Sequence, residues 1–432
     1  MATSQPDAAP DELAAPSFRL DEGYALELDA ADPLAPNRAR FAIPVGSDGK
    51  QRIYLAGQSL GAMPMSARAA LEAELDVWSR LGVDGHFHEG SRWVSYDEPL
   101  REPTARLVGA FPDEVGTMNT LTVNLHLLLA SFFRPAGGRT RILIDAPTFP
   151  SDRYAIESQL RFHGLDPAQD LIVVGPRTGE SIVRTEDLEG AIHENRDQLA
   201  VALVAGVNYA TGQVHDIPRL TGAIHETGAL AGWQLAHSAG NVPVALHDWD
   251  VDFAMWCTYK YLCSGPGAIA QLYVHRRHGM DPSVPRLSGW WGNDAASRFR
   301  MADTFVPGSG ADGWRLSNPP ILALAPVHAS LAIFDEVGMP ALRAKSLKLT
   351  AYLAAIVDSI GGAEIVTPRD PAARGCQLSL RFPDAAARLA RLEAAGVVAD
   401  FREPDIIRVA PVPMYNSFHD VWRFGQALKE IA

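Results

Sequence analysis

The chain has 432 residues, of which 47% are hydrophobic, and its 38 Lys and Arg against 51 Asp and Glu give a formal net charge of −13. This composition predicts a globular chain of about two or three domains. The acidic balance, without any basic run, excludes a protein built to bind nucleic acid or an anionic membrane, because both need clustered Lys and Arg.

The start of the chain, Met1 to Phe18, holds acidic residues, alanines and prolines, which is typical of a loose arm and not of a secretory signal. The longest apolar stretch, Leu125 to Phe133, is far shorter than the about 20 residues that cross a bilayer. The three cysteines show neither a disulfide framework nor zinc-ligand spacing. We therefore expect no membrane partner and a cytoplasmic location.

From about Leu60 to Phe334, helical patterns alternate with short apolar runs, which predicts an α/β fold with a mostly parallel sheet. Helices are predicted at Ser66 to Trp78 and at Pro326 to Glu336, the second with a proline at its start. The predicted strands are Arg141 to Ile144, Leu171 to Val174, Leu199 to Val204, Leu230 to Leu235, Phe253 to Trp256 and Ala270 to Val274.

A different unit is predicted after Pro340. We place an N-terminal arm that contributes to the small domain at 1–56, a large domain at 57–336 and a small C-terminal α/β domain at 337–432. In the small domain, a helix at Ala341 to Ile360 precedes predicted strands at Glu364 to Thr367, Gln377 to Phe382, Val397 to Arg402 and Ile406 to Ala410.

Lys260 is the strongest chemical candidate. It follows the apolar run Phe253 to Trp256 and precedes a glycine-rich turn, which predicts an amine at a strand end that faces a cleft. A desolvated amine has a lowered pKa and attacks an aldehyde carbon readily, so this lysine suits Schiff-base chemistry. The alternative from the local pattern is an ordinary solvated lysine beside a turn.

Two other segments suit a flat ligand that carries a phosphate. Met118 to Leu125 places Thr and Asn before an apolar helical run, and such a helix start offers N–H groups and hydroxyls to phosphate. The loop Pro147 to Asp152 presents the ring of Phe149 for stacking on a heterocycle. Both also have a plain interpretation, as a helix cap and a core aromatic residue.

Arg408 lies in the apolar strand pattern Ile407 to Pro411, where a buried guanidinium needs an anion. A substrate carboxylate and a structural ion pair are both open. Trp290 to Asn293 and Ser317 to Pro320 place aromatic and amide groups in loops rich in Gly and Pro. These groups either line a pocket or only pack against one another.

The longer motifs occur in order along nearly the whole chain: GQSLG (57–61), MNTLTVNLHLLL (118–129), FPSDRYAIESQLRFHG (149–164), VNYATGQ (207–213), LAHSAGN (235–241), HDWDVDFAMWCTYKYL (247–262), SNPPIL (317–322) and RVAPVPMYNSFHDV (408–421). In this combination the chain resembles the kynureninase family of fold-type-I pyridoxal-phosphate enzymes. The resemblance implies the aspartate-aminotransferase-like fold, with a large, mostly parallel sheet domain and a small C-terminal α/β domain. It also implies pyridoxal 5'-phosphate as cofactor, an amino-acid substrate and a homodimer with shared active sites.

The resemblance implies a role for each candidate residue. Lys260 forms the Schiff base with the cofactor and, once released, acts as the base. Arg408 holds the substrate carboxylate, and the side-chain end of the substrate faces Asn318, Trp291 and Asn293. The other cofactor contacts are Leu121, Thr122, Phe149, Asp152, Gln234, His237 and Tyr259, with Trp290 and Ser317 from a neighbouring subunit.

Gln234 departs from the family pattern, which has an aspartate at this position that pairs with the pyridine nitrogen. A carboxylate keeps that nitrogen cationic, whereas an amide only forms a hydrogen bond with it, so the resemblance predicts a weaker electron sink. Asn293 stands where a histidine is expected, and Ala210 where an aromatic residue is common. These two changes affect the pocket that reads the substrate side chain.

The activity that the resemblance implies is cleavage of the Cβ–Cγ bond of L-kynurenine or 3-hydroxykynurenine to an anthranilate and L-alanine, a step of tryptophan catabolism. One alternative is a diverted relative in secondary metabolism, which catalyses β-elimination from an S- or O-linked side chain or an oxidative, decarboxylating deamination. Another is a catalytically inactive binding module. The presence of Lys260 and Arg408 argues against the inactive module.

Overall fold

The structure is a computed structural model, and it describes residues 18–90 and 92–431. The predicted arm, Met1 to Phe18, therefore lies outside the described residues except for its last residue.

A seven-stranded sheet forms the centre of the larger part of the described chain. Six strands run in one direction, and Gln271–Val274 is antiparallel to both of its neighbours. The central strands are buried on both faces, which explains their nearly continuous apolar sequences. The spatial order is Val115–Thr117, Gln271–Val274, Phe253–Trp256, Leu230–Gln234, Leu199–Ala205, Arg141–Asp145 and Leu171–Val174.

The predicted fold class is confirmed, and the six predicted strands of this sheet agree with the structure to within one residue at each end. The edge strand Val115–Thr117 has no sequence signal, because it is only 3 residues long and contains Gly116. Side chains that alternate along a strand point to opposite faces. Leu143 and Trp233 accordingly pack into one apolar core, and Ile142 and Val201 into the core on the other face.

The predicted start of one helix is wrong. Pro326 lies inside the helix Ile321–Val337, which begins directly after Pro320. A proline at this position cannot donate to the carbonyl of Leu322, so the helix lacks one hydrogen bond. Burial of the apolar side chains around it, including Leu324, offsets this loss.

The helices cover both faces of the large sheet and one face of the small sheet. The other described α-helices are Glu22–Ala30, Ser66–Leu81, Arg101–Val108, Leu121–Phe132, Pro150–Phe162, Pro167–Asp170, Thr185–Glu194, Ile217–Glu226, Arg276–Gly279, Met339–Ile360, Ala385–Ala394 and Phe418–Glu430.

The C-terminal part contains an antiparallel sheet with the order Glu364–Ile365, Leu378–Arg381, Ile406–Val409 and Asp400–Arg402. The single strand predicted at Val397 to Arg402 is wrong. Its first residues, Val397–Val398, leave this sheet and pair in parallel with Ile53–Tyr54. The sequence contains no sign of this division, because the partner strand lies near the other end of the chain.

The segment before residue 57 packs on the C-terminal part. Ala25, Ile53 and Leu55 are buried in one apolar core with Leu353 and Phe424. The division into domains at residues 56 and 336 stays a prediction; residue 336 lies in the last turn of Ile321–Val337.

Within the described residues, no single helix is long and apolar enough to cross a membrane. Ile321–Val337 and Met339–Ile360 reach that length and hydropathy only as a pair, which is bent by 82°.

Candidate active site

The candidate site lies at the carboxyl ends of the parallel strands, which is where open α/β sheets bind their ligands. Gln234 ends one central strand, and Asp145 ends another. The turn that carries Lys260 follows Phe253–Trp256. A small cavity lies between these strand ends, with Phe149 and His237 in its wall.

Lys260 is buried, with 8% of its surface exposed. Its Nζ donates to His237 Nε2 over 3.0 Å and lies 5.6 Å from the ring centre of Phe149 and 5.9 Å from that of Tyr259. Burial lowers the pKa of Lys260, and the charge of Arg408 adds to this effect. The amine is therefore easier to deprotonate than an exposed lysine, so the interpretation as a solvated lysine is wrong.

Burial and the neighbouring Lys260 place the pKa of His237 well below its ordinary value. This imidazole is therefore neutral, and its Nδ1 has no partner within the described chain. A neutral imidazole can accept a hydrogen bond from the lysine, so His237 holds the amine in place without adding a second positive charge beside it.

The turn that holds Lys260 packs tightly against the GQSLG motif. The Gly61 N–H donates to the carbonyl of Tyr259 over 2.9 Å. A Cβ atom at Gly61 would lie 2.3 Å from the carbonyl oxygen of Lys260 and 2.6 Å from Cys263 Sγ. Only glycine fits at this close approach, so the motif fixes the position of the lysine turn.

Asp152 and Gln234 form a buried pair. Gln234 Nε2 donates to Asp152 Oδ2 over 2.9 Å, while Asp152 Oδ1 is buried without a partner among the described residues. Burial raises the pKa of Asp152 to about 6, and the hydrogen bond from Gln234 partly opposes this shift. An unpartnered buried oxygen costs free energy in the folded protein, and such atoms are often where a ligand binds.

Two helices begin beside Phe149. The starts of Leu121–Phe132 and Pro150–Phe162 have no side-chain cap, so N–H groups there are open to a ligand. At the second start this is the Ser151 N–H, since Pro150 has none and the Asp152 N–H donates to the Phe149 carbonyl over 3.0 Å. Thr122 Oγ1 and Ser151 Oγ lie 2.8 Å apart and connect the two starts. Two uncapped helix starts and two hydroxyls suit a phosphate group.

Arg408 is buried and already holds an anion. Its Nε lies 3.0 Å from Asp400 Oδ1 and its Nη2 2.8 Å from the same atom, while Nη1 donates to the carbonyl of Tyr209 over 2.7 Å. Ser59 Oγ accepts from Nη2 over 3.1 Å and donates to Asp400. Because a guanidinium has five N–H donors, Nη1 keeps one for a ligand.

The remaining predicted site residues lie apart from the lysine. Trp291, Ser317 and Asn318 line a separate cavity of about 230 Å³. Trp290 donates from its indole to the Arg298 carbonyl, and Asn293 Oδ1 accepts from the Val306 N–H. In the described part of the chain, no hydrogen bond or ring contact joins any of the five predicted residues to Lys260.

The structure adds site residues that sequence reasoning missed. The Tyr209 ring contacts the Phe149 ring edge-on at 5.3 Å, and its carbonyl holds Arg408. Asn208 Nδ2 donates to Asp145 and to the carbonyl of Pro147, which connects the loops of both aromatic residues. Ser59 and Tyr209 lie in the motifs GQSLG and VNYATGQ, so these motifs contain the sequence signal for both residues.

Comparisons with known proteins assign the family. The family described as the kynureninase C-terminal domain matches residues 342–428. The chain is 52% identical over 417 residues to the kynureninase of Salinispora tropica, covering 94% of this chain and 96% of that protein. It is 50% identical over 415 residues to that of Myxococcus xanthus, covering 95% and 97%. The chain belongs to the kynureninase family.

Solved structures agree on the fold. The cysteine desulfurase CsdA of Escherichia coli has a TM-score of 0.75 at 16% identity, and it covers 92% of this chain and 98% of its own. The cysteine desulfurase of Thermococcus onnurineus NA1 has a TM-score of 0.72 at 18% identity, with 88% and 94% covered. At these identities the similarity shows only the fold, which is that of fold-type-I enzymes.

Membership in the kynureninase family makes this chain a pyridoxal-phosphate enzyme that acts on an amino acid. The residues of the cavity fit that cofactor. Lys260 offers a desolvated amine to an aldehyde, Phe149 offers a ring for stacking, and the two uncapped helix starts suit the phosphate. Asp152 adds a carboxylate oxygen that has no partner among residues 18–90 and 92–431.

When pyridoxal phosphate is removed, we expect Asp152→Asn to stabilise the protein above pH 6 and to have little effect near pH 4. The pKa of about 6 in the folded state lies above the ordinary 3.8, so the wild type loses stability as the pH rises through this window. This difference of about two pKa units corresponds to about 3 kcal/mol in the free energy of unfolding. Denaturant unfolding of both proteins from pH 4 to 8 checks this, and a difference that does not change with pH would contradict it.

Proposed function

We propose that this member of the kynureninase family hydrolyses the Cβ–Cγ bond of L-kynurenine or 3-hydroxykynurenine, giving an anthranilate and L-alanine. The observation that carries the proposal is the buried, pKa-lowered Lys260 beside neutral His237, in a chain 52% identical to a kynureninase over nearly its full length. Water is the second reactant, so the atoms of substrate and products balance.

Lys260 has two tasks in this proposal. Its desolvated amine binds the aldehyde of the cofactor, and after release it removes the proton from the substrate Cα. Bound pyridoxal phosphate supplies a conjugated ring that delocalises the negative charge formed at that carbon. His237 Nε2 accepts a hydrogen bond from the Lys260 amine at 3.0 Å and thereby orients the amine.

Arg408 is proposed to bind the substrate carboxylate with the N–H that its internal contacts leave open. Asp400 and the Tyr209 carbonyl hold the guanidinium plane in place before the substrate arrives. The predicted structural ion pair is thus present, and the proposed role in substrate binding adds to it. An orientation fixed in advance lowers the entropic cost of binding.

The second part of the proposal is a homodimer in which Trp290 and Ser317 complete the site of the other subunit. It is supported by the separation of these residues from Lys260 within one chain, and by an exposed patch of aromatic side chains. This aromatic patch consists of Phe87 (61% exposed), Trp290 (41%) and Phe299 (48%). The ring centre of Phe299 lies 5.9 Å from that of Phe87 and 5.5 Å from that of Trp290. Such patches mark interaction surfaces.

We expect Phe299→Glu to convert the dimer into a monomer, because a charge buried at an apolar interface has no partner there. Light scattering coupled to size-exclusion chromatography measures the mass. Leu26→Glu is the matched control, since Leu26 is half exposed on the distant helix Glu22–Ala30. A dimer that persists in Phe299→Glu would exclude the aromatic patch as the interface.

We also propose a cytoplasmic location. It is supported by Cys257, Cys263 and Cys376, which are all buried and unpaired, as expected in a reducing compartment.

Product analysis with L-kynurenine and 3-hydroxykynurenine tests the reaction. Anthranilates are measured by fluorescence and alanine by mass spectrometry, and formation of both products supports the proposal. If neither forms but other amino acids change the colour of the cofactor, the enzyme is a diverted relative that catalyses elimination or oxidative deamination. A protein whose colour no amino acid changes would be an inactive binding module.

A further inference from the structure

Two carboxylates line the cavity beside Phe149, and they differ in their partners. Asp145 is satisfied, since it accepts from the Ala205 N–H at 3.1 Å and from Asn208 Nδ2 at 3.0 Å. Asp152 accepts only from Gln234, and its Oδ1 has no partner within the described residues. Asp152 is therefore the cavity carboxylate that remains available to a ligand.

The orientation of the Gln234 amide is fixed from both ends. Its Oε1 accepts from the Ala236 N–H over 3.0 Å, and its Nε2 donates to Asp152 Oδ2 over 2.9 Å. A backbone N–H cannot face an amide nitrogen, and an ionised carboxylate cannot face an amide oxygen. One N–H of Gln234 is thus left for a ligand in the cavity, because the other donates to Asp152 and the oxygen accepts from Ala236.

We propose that Asp152 is the carboxylate that pairs with the ring nitrogen of bound pyridoxal phosphate, and that Gln234 is a positioning residue that holds Asp152 for this contact. The inference rests on the proposed function in one respect, the use of this cavity as the cofactor site around Lys260.

Asp152 and Gln234 would stabilise opposite protonation states of the cofactor's ring nitrogen. A carboxylate at the ring nitrogen stabilises its protonated, cationic form through a charge-assisted hydrogen bond. The only group that Gln234 offers is an N–H donor, which would pair with an unprotonated nitrogen. If Asp152 is the partner, the replacement of the family's aspartate by Gln234 leaves the electron-withdrawing strength of the ring intact. In that case the weaker electron sink that the resemblance predicts does not occur.

Nuclear magnetic resonance of the holoenzyme with ring-¹⁵N pyridoxal phosphate distinguishes the two arrangements without any substitution. At pH 8 and without substrate, we expect the ring nitrogen of the wild type to have the chemical shift of a protonated pyridine. The shift of an unprotonated nitrogen would overturn the inference.

Substitutions then identify the partner. Asp152→Asn keeps the size of the side chain but removes its charge, so we expect the ring nitrogen to lose its proton and pyridoxal phosphate to bind about tenfold more weakly. Gln234→Leu is expected to keep the proton and to lower the pKa of the ring nitrogen by a smaller amount, since it removes the hydrogen bonds of Gln234 with Asp152 and with the Ala236 N–H but leaves the charge of Asp152 in place. Ser158→Ala, on the same helix but hydrogen-bonded to the Ala155 carbonyl, is the matched control and leaves the shift unchanged.

Two outcomes contradict the inference. One is a ring nitrogen that stays protonated in a folded Asp152→Asn holoenzyme. The other is a nitrogen that becomes protonated only in Gln234→Asp, which would show that position 234 faces the ring directly. Neither measurement uses kynurenine. A wild type with a protonated nitrogen but no anthranilate product would therefore retain this inference and refute the proposed substrate.

Discussion

Lys260→Ala is expected to lower turnover by about 10³-fold or more and to remove the visible absorbance of the lysine-bound cofactor. Alanine provides neither the amine that binds the aldehyde nor the base that removes the Cα proton. The loss should exceed that of any other single substitution in the cavity, since both tasks depend on one atom. Steady-state product formation and an absorbance spectrum of the purified protein measure the two effects.

Lys348→Ala is the matched control, because Lys348 is exposed on the helix Met339–Ile360. It removes one lysine without touching the cavity, so activity and spectrum should equal those of the wild type. Normal product formation by Lys260→Ala would refute the assignment of the active site.

Arg408→Met is expected to reduce kcat/KM for the amino acid by about 10- to 100-fold, mainly through KM, because a charge-assisted contact with the substrate carboxylate is lost. It should also destabilise the fold by about 2 kcal/mol, because Asp400 loses its buried guanidinium partner and keeps only the partly exposed Arg402 and the Ser59 hydroxyl. Steady-state kinetics and denaturant unfolding separate the two effects.

The double variant Asp400→Asn with Arg408→Met distinguishes binding from folding. Without the carboxylate, no buried charge is left unpaired, and Arg402, the other partner of Asp400, is 38% exposed and stays hydrated. The double variant should therefore recover most of the stability but not the low KM. If Arg408→Met retains the wild-type KM, the arginine serves only as the structural ion pair that the sequence left open.

Most of the large sheet could be predicted from sequence, because its central strands are buried on both faces. Each of the six predicted strands is a separate apolar run with a turn signal at either end, and the observed ends differ from prediction by no more than one residue. The seventh strand, Val115–Thr117, is too short to give such a run. The strand Val397–Val398 could not be predicted as separate from Asp400–Arg402. What divides them is the pairing with Ile53–Tyr54, a contact between distant parts of the chain.

The candidate site also has one part that could be predicted from sequence and one part that could not. The cavity around Lys260 is built from long motifs at strand ends, so the positions of Phe149 and His237 beside the lysine follow from the motif order. The ion-pair partner of Arg408 could not be predicted from the motifs. Asp400 lies directly opposite Arg408 on the adjacent antiparallel strand, and an aspartate in a short polar strand has no sequence feature that indicates this pairing.

The contact between the two distant parts of the chain also sets the order of assembly during synthesis. The N–H of Phe418, at the start of the last helix, donates to Asp29 across a separation of 389 residues. At about 5 to 20 residues per second, the ribosome needs roughly 20 to 80 seconds to make the intervening chain. For that time the apolar face of Glu22–Ala30 has no surface to pack on, so the nascent chain offers it to chaperones and proteases before its own C-terminal elements exist.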